Sequence, residues 1–260
     1  MNMTNKEILD VALQQSAYDL SCDTCDLTNG KRTVVISRKC EKARKYLALP
    51  FICNIVSYGR GVVASVSEEH ADFVKEYING YDEAHLFETP NFHVLNDHFE
   101  NFGSRVCFMA EYFLPDIDKL KISECDYETR LIEKDGLAEL YRPEWSNALC
   151  ESRKELDVLA VGAYDGGRLV ALAGCSADCE SMWQIGIDVL PDYRGKGIGS
   201  ALTTRLAAET FERGKVPFYC AAWSNIPSVR NALRSGFRPA WVEMTVKDAA
   251  FVSEMNGTKA

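Results

Sequence analysis

Short apolar runs separated by polar turns divide the chain into pieces the size of single strands and helices. The pattern predicts a helix from Met3 to Leu20 and strands at Phe51–Val56 and Gly61–Val66. Helices follow over about Glu68–Ile78 and Asn91–Phe102, and then a strand over Arg105–Leu114. Leu114-Pro115-Asp116-Ile117-Asp118 opens a polar stretch that lasts to Asp126 and reads as a boundary. It separates a mixed α/β N-terminal lobe, residues 1–120, from a second region, residues 121–260. The first lobe carries no pattern that names a chemistry.

Beyond the boundary the periodicity sharpens. Tyr127–Ile132 is strand-like, and Val158–Tyr164 and Arg168–Ala173 flank Asp165-Gly166-Gly167, whose glycines suit a tight hairpin. Met182–Leu190 is a third apolar strand. A helix is expected from about Gly199 to Arg213, with Leu202, Leu206 and Phe211 near one face and Gly214 as its terminator. Val216–Trp223 is the next strand, Pro227 suits the first turn of a second helix that closes at Arg234 and Gly236, and Trp241–Val246 is the last strand. Strand, glycine loop, helix, strand, helix, strand is an α/β arrangement with a phosphate-type loop at its centre.

Composition narrows the class. A chain of 260 residues with 47% apolar and 26% charged residues is an ordinary globular protein with room for two modest lobes. No leader-like segment and no apolar run of about 20 residues is seen, so a soluble, cytoplasmic protein is expected. The net charge of −9 includes no basic stripe, which argues against nucleic-acid binding and weakly favours a cationic small molecule. The ten cysteines are scattered, several within apolar runs, and read as free thiols. Cys22-Asp23-Thr24-Cys25 has metal or redox spacing but no second pair and no βαβ context. His93 and His98 are five apart, wrong for a helical metal pair, so no metal site is expected.

The chemistry concentrates in Val189-Leu190-Pro191-Asp192-Tyr193-Arg194-Gly195-Lys196-Gly197-Ile198-Gly199-Ser200. Glycines at 195, 197 and 199 let backbone N–H groups turn towards one point, and the helix that follows leaves its first N–H groups unpaired. The result is a cradle for pyrophosphate, with Arg194 and Lys196 adding positive charge. A Walker loop is excluded by the absence of its Gly-Lys-Ser/Thr ending. A dinucleotide fingerprint is excluded because the sixth position from Gly195 is Ser200 and Val216–Trp223 offers no acidic residue for a ribose.

Arg194-x-x-Gly197-x-Gly199 resembles the Gln/Arg-x-x-Gly-x-Gly/Ala signature of the GNAT superfamily of acyl-CoA-dependent N-acetyltransferases. Asn225 to Gly236-Phe237 is similar to that superfamily's later asparagine, helix and Gly-Phe, and the likeness covers about Tyr127–Val246. The resemblance implies a central mixed, mostly antiparallel sheet flanked by helices, with acetyl-CoA as cosubstrate and no metal. It implies that Ile187, Asp188 and Val189 form a splayed strand end that pairs with the pantetheine arm, the Ile187 N–H facing the thioester oxygen as oxyanion donor. Arg194, Gly195, Lys196, Gly197, Ile198, Gly199 and Ser200 would hold the pyrophosphate, and Asn225 and Ser228 would touch the CoA chain.

The resemblance breaks down at the proton-transfer positions. Where many members of the family carry a tyrosine acid, this chain has Ala232; the two familiar base positions are Cys220 and Trp183. Asp188 and Cys220 are the remaining local candidates for acid–base work, beside inert packing as the alternative for the thiol. The expected function is acetyl transfer from acetyl-CoA to an amine, a small cationic amine first, by direct attack in a ternary complex. The alternative is a non-catalytic acyl-CoA sensor. The first lobe is expected to cover the acceptor side, with Tyr112 as a possible acid, and a homodimer is an open expectation.

Overall fold

In a computed structural model, which describes residues 3–257, the elements follow the predicted order with shifted ends. They are α1 (Asn5–Leu20), β1 (Arg32–Ile36), β2 (Cys53–Ser57), β3 (Val62–Val66), α2 (Ala71–Gly80), α3 (Thr89–Glu100) and β4 (Ser104–Pro115). Then come β5 (Glu128–Glu133), β6 (Asp157–Asp165), β7 (Arg168–Ser176), β8 (Met182–Val189), α4 (Ile198–Glu212), β9 (Val216–Ala221), α5 (Ile226–Arg234), β10 (Phe237–Asp248) and α6 (Ala249–Met255). β1 and α6 have no counterpart in the pattern reading. α3 begins two residues early because Pro90 fits its first turn. β9 ends at Ala221, two residues short of expectation.

The chain groups into two compact units. Among the described residues, one comprises 3–12, 44–46 and 112–239; the other comprises 13–43, 47–111 and 240–257. In the second, β3 pairs parallel with β1 and antiparallel with β2, and β2 pairs antiparallel with β10 at residues 242–246. Ile55, Ala64 and Met244 pack with Val74 and Ile78 of α2 and with Leu95 and Phe99 of α3 as its core.

In the first unit β5, β6, β7 and β8 form an antiparallel run, and β9 adds to β8 in parallel. β6 and β7 are near-continuous apolar runs because both faces are covered. On one face, Leu202, Leu206 and Ala207 of α4 pack on Val161, Ala173, Ile185 and Tyr219. On the other, short 3-10 turns between β5 and β6 bring Leu137, Trp145 and Leu149 onto Ala160 and Leu172. This is the mixed, mostly antiparallel sheet with flanking helices that the family resemblance implies.

Candidate active site

The site begins where two parallel strands part. β8 pairs with β9 only from Met182–Val216 to Ile185–Tyr219, whereas its pairing with β7 continues to Val189. The end of β8, Gly186 to Val189, therefore has an edge without a strand partner. Strand alternation decides which groups face it. The Leu190 N–H donates to the Val170 carbonyl at 3.0 Å, so the N–H groups of Asp188 and Gly186 also turn towards β7. Those of Ile187 and Val189 turn to the opposite, open edge. The Val189 carbonyl accepts from Arg194 Nε at 2.9 Å, as that alternation requires.

Arg194 thus ties the glycine loop back onto the strand end. Gly195 and Gly197 both have φ of 78°, a left-handed conformation that costs a side-chain residue about 1 kcal/mol or more, and a Cβ on either would meet open space. Gly199 plays a different part: it lies where α4 and α5 approach, and a Cβ there would lie 2.9 Å from Asn231 Oδ1, a side-chain tip that would have to shift to admit it. Within α4, the Ala201 N–H bonds the Gly197 carbonyl. The Ile198, Gly199 and Ser200 N–H groups precede it and have no partner within the helix. Ser200 Oγ donates to the Gly197 carbonyl at 2.9 Å. Lys196 lies over the Tyr193 ring at 5.0 Å and reaches Tyr127 Oη at 3.4 Å, while Tyr193 donates to Asp165. The loop thus combines positive-φ glycines, free helix N–H groups and two cations, a donor set that fits a pyrophosphate.

Asn225 and Ser228 stand at the start of α5. Asn225 Oδ1 accepts from the Ser228 N–H as the helix cap, and Ser228 Oγ lies 2.8 Å from Tyr219 Oη. Burial pushes the Tyr219 phenol above its ordinary pKa, so it keeps its proton at neutral pH. Ala232 is fully buried in the core and Trp183 packs against the same core, so neither can move a proton.

The other candidates lie on the face away from α4. Gln184 Nε2 donates to Cys220 Sγ at 3.1 Å. The Asp188 carboxylate accepts from the Asn147 N–H at 2.8 Å, Asn147 Nδ2 at 2.6 Å and the Ala148 N–H at 2.9 Å. Both of its oxygens are engaged by this turn, which the sequence reading did not connect with it. The available signal was Gly174 and Gly186, each inside an apolar strand where glycine marks a close backbone approach.

Farther along the sheet, Asp157 and Asp178 are buried beside Arg153, whose Nη1 lies 3.6 Å from Asp178 Oδ1. Burial raises the Asp178 carboxyl to about 6, against the lowering pull of Arg153. Cys22 and Cys25 are free thiols like the other eight, and burial with Asp26 and Asp23 nearby pushes Cys22 up to about 12. Such a thiol holds its proton and is a poor nucleophile.

Residues 122–237 match the model of the acetyltransferase (GNAT) family. This part of the chain is a GNAT domain. No curated protein matches the chain. Among solved structures it is similar to a GNAT-family protein from Novosphingobium aromaticivorans, with 21% identity and a TM-score of 0.41 over 55% of this chain and 66% of that one. A GCN5-related N-acetyltransferase from Kribbella flavida aligns with 16% identity and a TM-score of 0.46 over 60% and 62%. The yncA protein of Salmonella typhimurium, solved with acetyl-CoA, aligns with 17% identity and a TM-score of 0.34 over 47% and 93%. The chain thus spans less than two thirds of the first two. GNAT proteins use acetyl-CoA, and the domain supports acyl transfer in general. Among the described residues no helix is long and apolar enough to cross a membrane.

Proposed function

We propose that the chain transfers an acetyl group from acetyl-CoA to an amine, with small cationic amines as the favoured acceptors. One observation carries the reading: the open edge of β8, with the Ile187 and Val189 N–H groups turned outward, leads directly into a glycine loop with free N–H groups at the start of α4. Acetyl-CoA supplies an activated thioester whose thiolate is a good leaving group, with a cysteine-like pKa of about 8.5. The Ile187 N–H donates to the thioester oxygen and stabilises it most as negative charge develops. The Val189 N–H and the open edge align the pantetheine arm. Gly195, Gly197 and the first turn of α4 hold the pyrophosphate, with Arg194 and Lys196 supplying charge.

Catalysis on this reading is positioning and backbone hydrogen bonding rather than side-chain proton transfer. The acceptor reaches the site as the free amine and loses its proton to water. A second reading, a non-catalytic acyl-CoA sensor, is favoured by the buried Ala232 and the core-packed Trp183. Free-thiol detection over a panel of amines with acetyl-CoA separates the two. Acceptor-dependent thiol release supports the enzyme; tight acetyl-CoA binding with release at background over the whole panel supports the sensor.

A further inference from the structure

We propose that Asp188 is a positioning residue that clasps the Asn147–Ala148 turn across the end of β8, so that this turn forms the wall along which the acceptor reaches the acyl carbon. The inference rests on reading the β8–β9 opening as the acetyl-CoA site. Three observations support it.

The first is the clasp itself. Two backbone N–H groups and one side-chain amide, all from Asn147 and Ala148, converge on one carboxylate at 2.6–2.9 Å. An ionised acceptor makes such bonds about twice as strong as neutral ones. Three of the roughly four acceptor positions of this carboxylate are thereby filled, which suits it to holding the turn rather than to taking up a proton.

The second is the seat beneath the turn. Gly174 and Gly186 face each other directly in the β7–β8 register. A Cβ on Gly186 would lie 1.9 Å from the Asn147 carbonyl oxygen, and one on Gly174 would lie 1.9 Å from that of Ala148. The turn therefore rests on bare backbone, closer than any side chain allows.

The third is location. The seat residue Gly186 and the clasp residue Asp188 flank Ile187, whose N–H faces the open edge. The α4 side of the sheet is filled by Leu202, Leu206, Ile185 and Tyr219, which leaves the face carrying the turn for an acceptor. Ser146 and Asn147 are exposed on that turn and present polar groups there. Holding them fixed sets how an amine aligns with the acyl carbon, and small errors in such alignment are costly.

The test uses the full chain with Asp188→Ala and, to retain the shape and one acceptor oxygen, Asp188→Asn. Three quantities are read: amide hydrogen exchange at Asn147 and Ala148, acetyl-CoA affinity by calorimetry, and acetyl transfer to spermidine by thiol release. In Asp188→Ala we expect exchange at least tenfold faster at both amides and acetyl-CoA affinity within threefold of wild type. The KM for spermidine should rise tenfold or more with kcat within threefold, and Asp188→Asn should recover part of each change. Unchanged exchange, or a tenfold loss of acetyl-CoA affinity, overturns the assignment. So does a hundredfold fall in kcat at constant KM, which would make Asp188 a proton-transfer group. If the wild type acetylates neither spermidine nor any other amine, the proposed function fails, while exchange and affinity still decide whether Asp188 holds the turn.

Discussion

Gly186→Ala tests the close approach of the turn by the sign of its effect on stability. In an open strand position, alanine in place of glycine stabilises by about 0.5–1 kcal/mol, because glycine loses more backbone freedom on folding. Here the new Cβ would lie 1.9 Å from the Asn147 carbonyl oxygen, 2.9 Å from its carbon and 3.3 Å from Ala148 Cα. The oxygen must retreat by at least about 1 Å, since real Cβ contacts below 3.0 Å essentially do not occur. Such a retreat stretches the bonds to Asp188, now 2.6–2.9 Å, beyond hydrogen-bond range. Overpacking costs about 1–3 kcal/mol, and a lost hydrogen bond to a charged group adds about 1.5–3 kcal/mol. A net destabilisation of about 2–4 kcal/mol is expected, read from urea unfolding followed by tryptophan fluorescence. A variant as stable as wild type, or more so, would refute the seat, and with it the wall above the acyl site.

Three further outcomes follow from the same geometry. Asp178 has an ordinary pKa of 3.8 and is raised to about 6 in the fold, so its contribution to stability is full below 3.8 and is lost as pH rises through 6. That shift corresponds to about 3 kcal/mol, and Asp178→Asn should flatten the fall in melting temperature between pH 4 and 7; an unchanged slope contradicts the burial argument. Cys220→Ser should keep most activity, and a hundredfold loss in a variant that still binds acetyl-CoA and melts normally would make the thiol catalytic. The rate should climb with pH as the acceptor amine deprotonates and show no descending alkaline limb, because Ala232 has no proton to give; a clear falling limb would point to an acid such as Tyr219 or Tyr112.

The second half of the chain was the more legible because its patterns are local. The Asp165-Gly166-Gly167 hairpin, the glycine loop before α4 and the Pro227 start of α5 are each written in a few adjacent residues, and each element lies where the pattern places it. What could not be read depends on contacts distant in sequence. β1 has only three apolar residues and earns its place by pairing with β3, some thirty positions on. The extension of β10 to Phe237 and its pairing with β2 are likewise long-range. Asp188 read as a possible base or cofactor contact because its forty-residue link to Asn147 leaves no spacing signature. Only the two glycines of the seat hint at it. The roles of Ile187 and Val189 lie in backbone groups, which a side-chain pattern does not carry, and came from the family resemblance alone.

The proposed acetyl transfer requires that the glycine loop and the open end of β8 receive acetyl-CoA. Calorimetric titration of acetyl-CoA into the wild-type chain and into Gly197→Glu tests it most directly. Gly197 has φ of 78° and open space around it, so glutamate fits sterically at a backbone cost of about 1–2 kcal/mol while setting an anion against the phosphate cradle. Saturable binding to the wild type, with little or none to a variant that still melts cooperatively, is the predicted result; equal affinity in both would contradict the account.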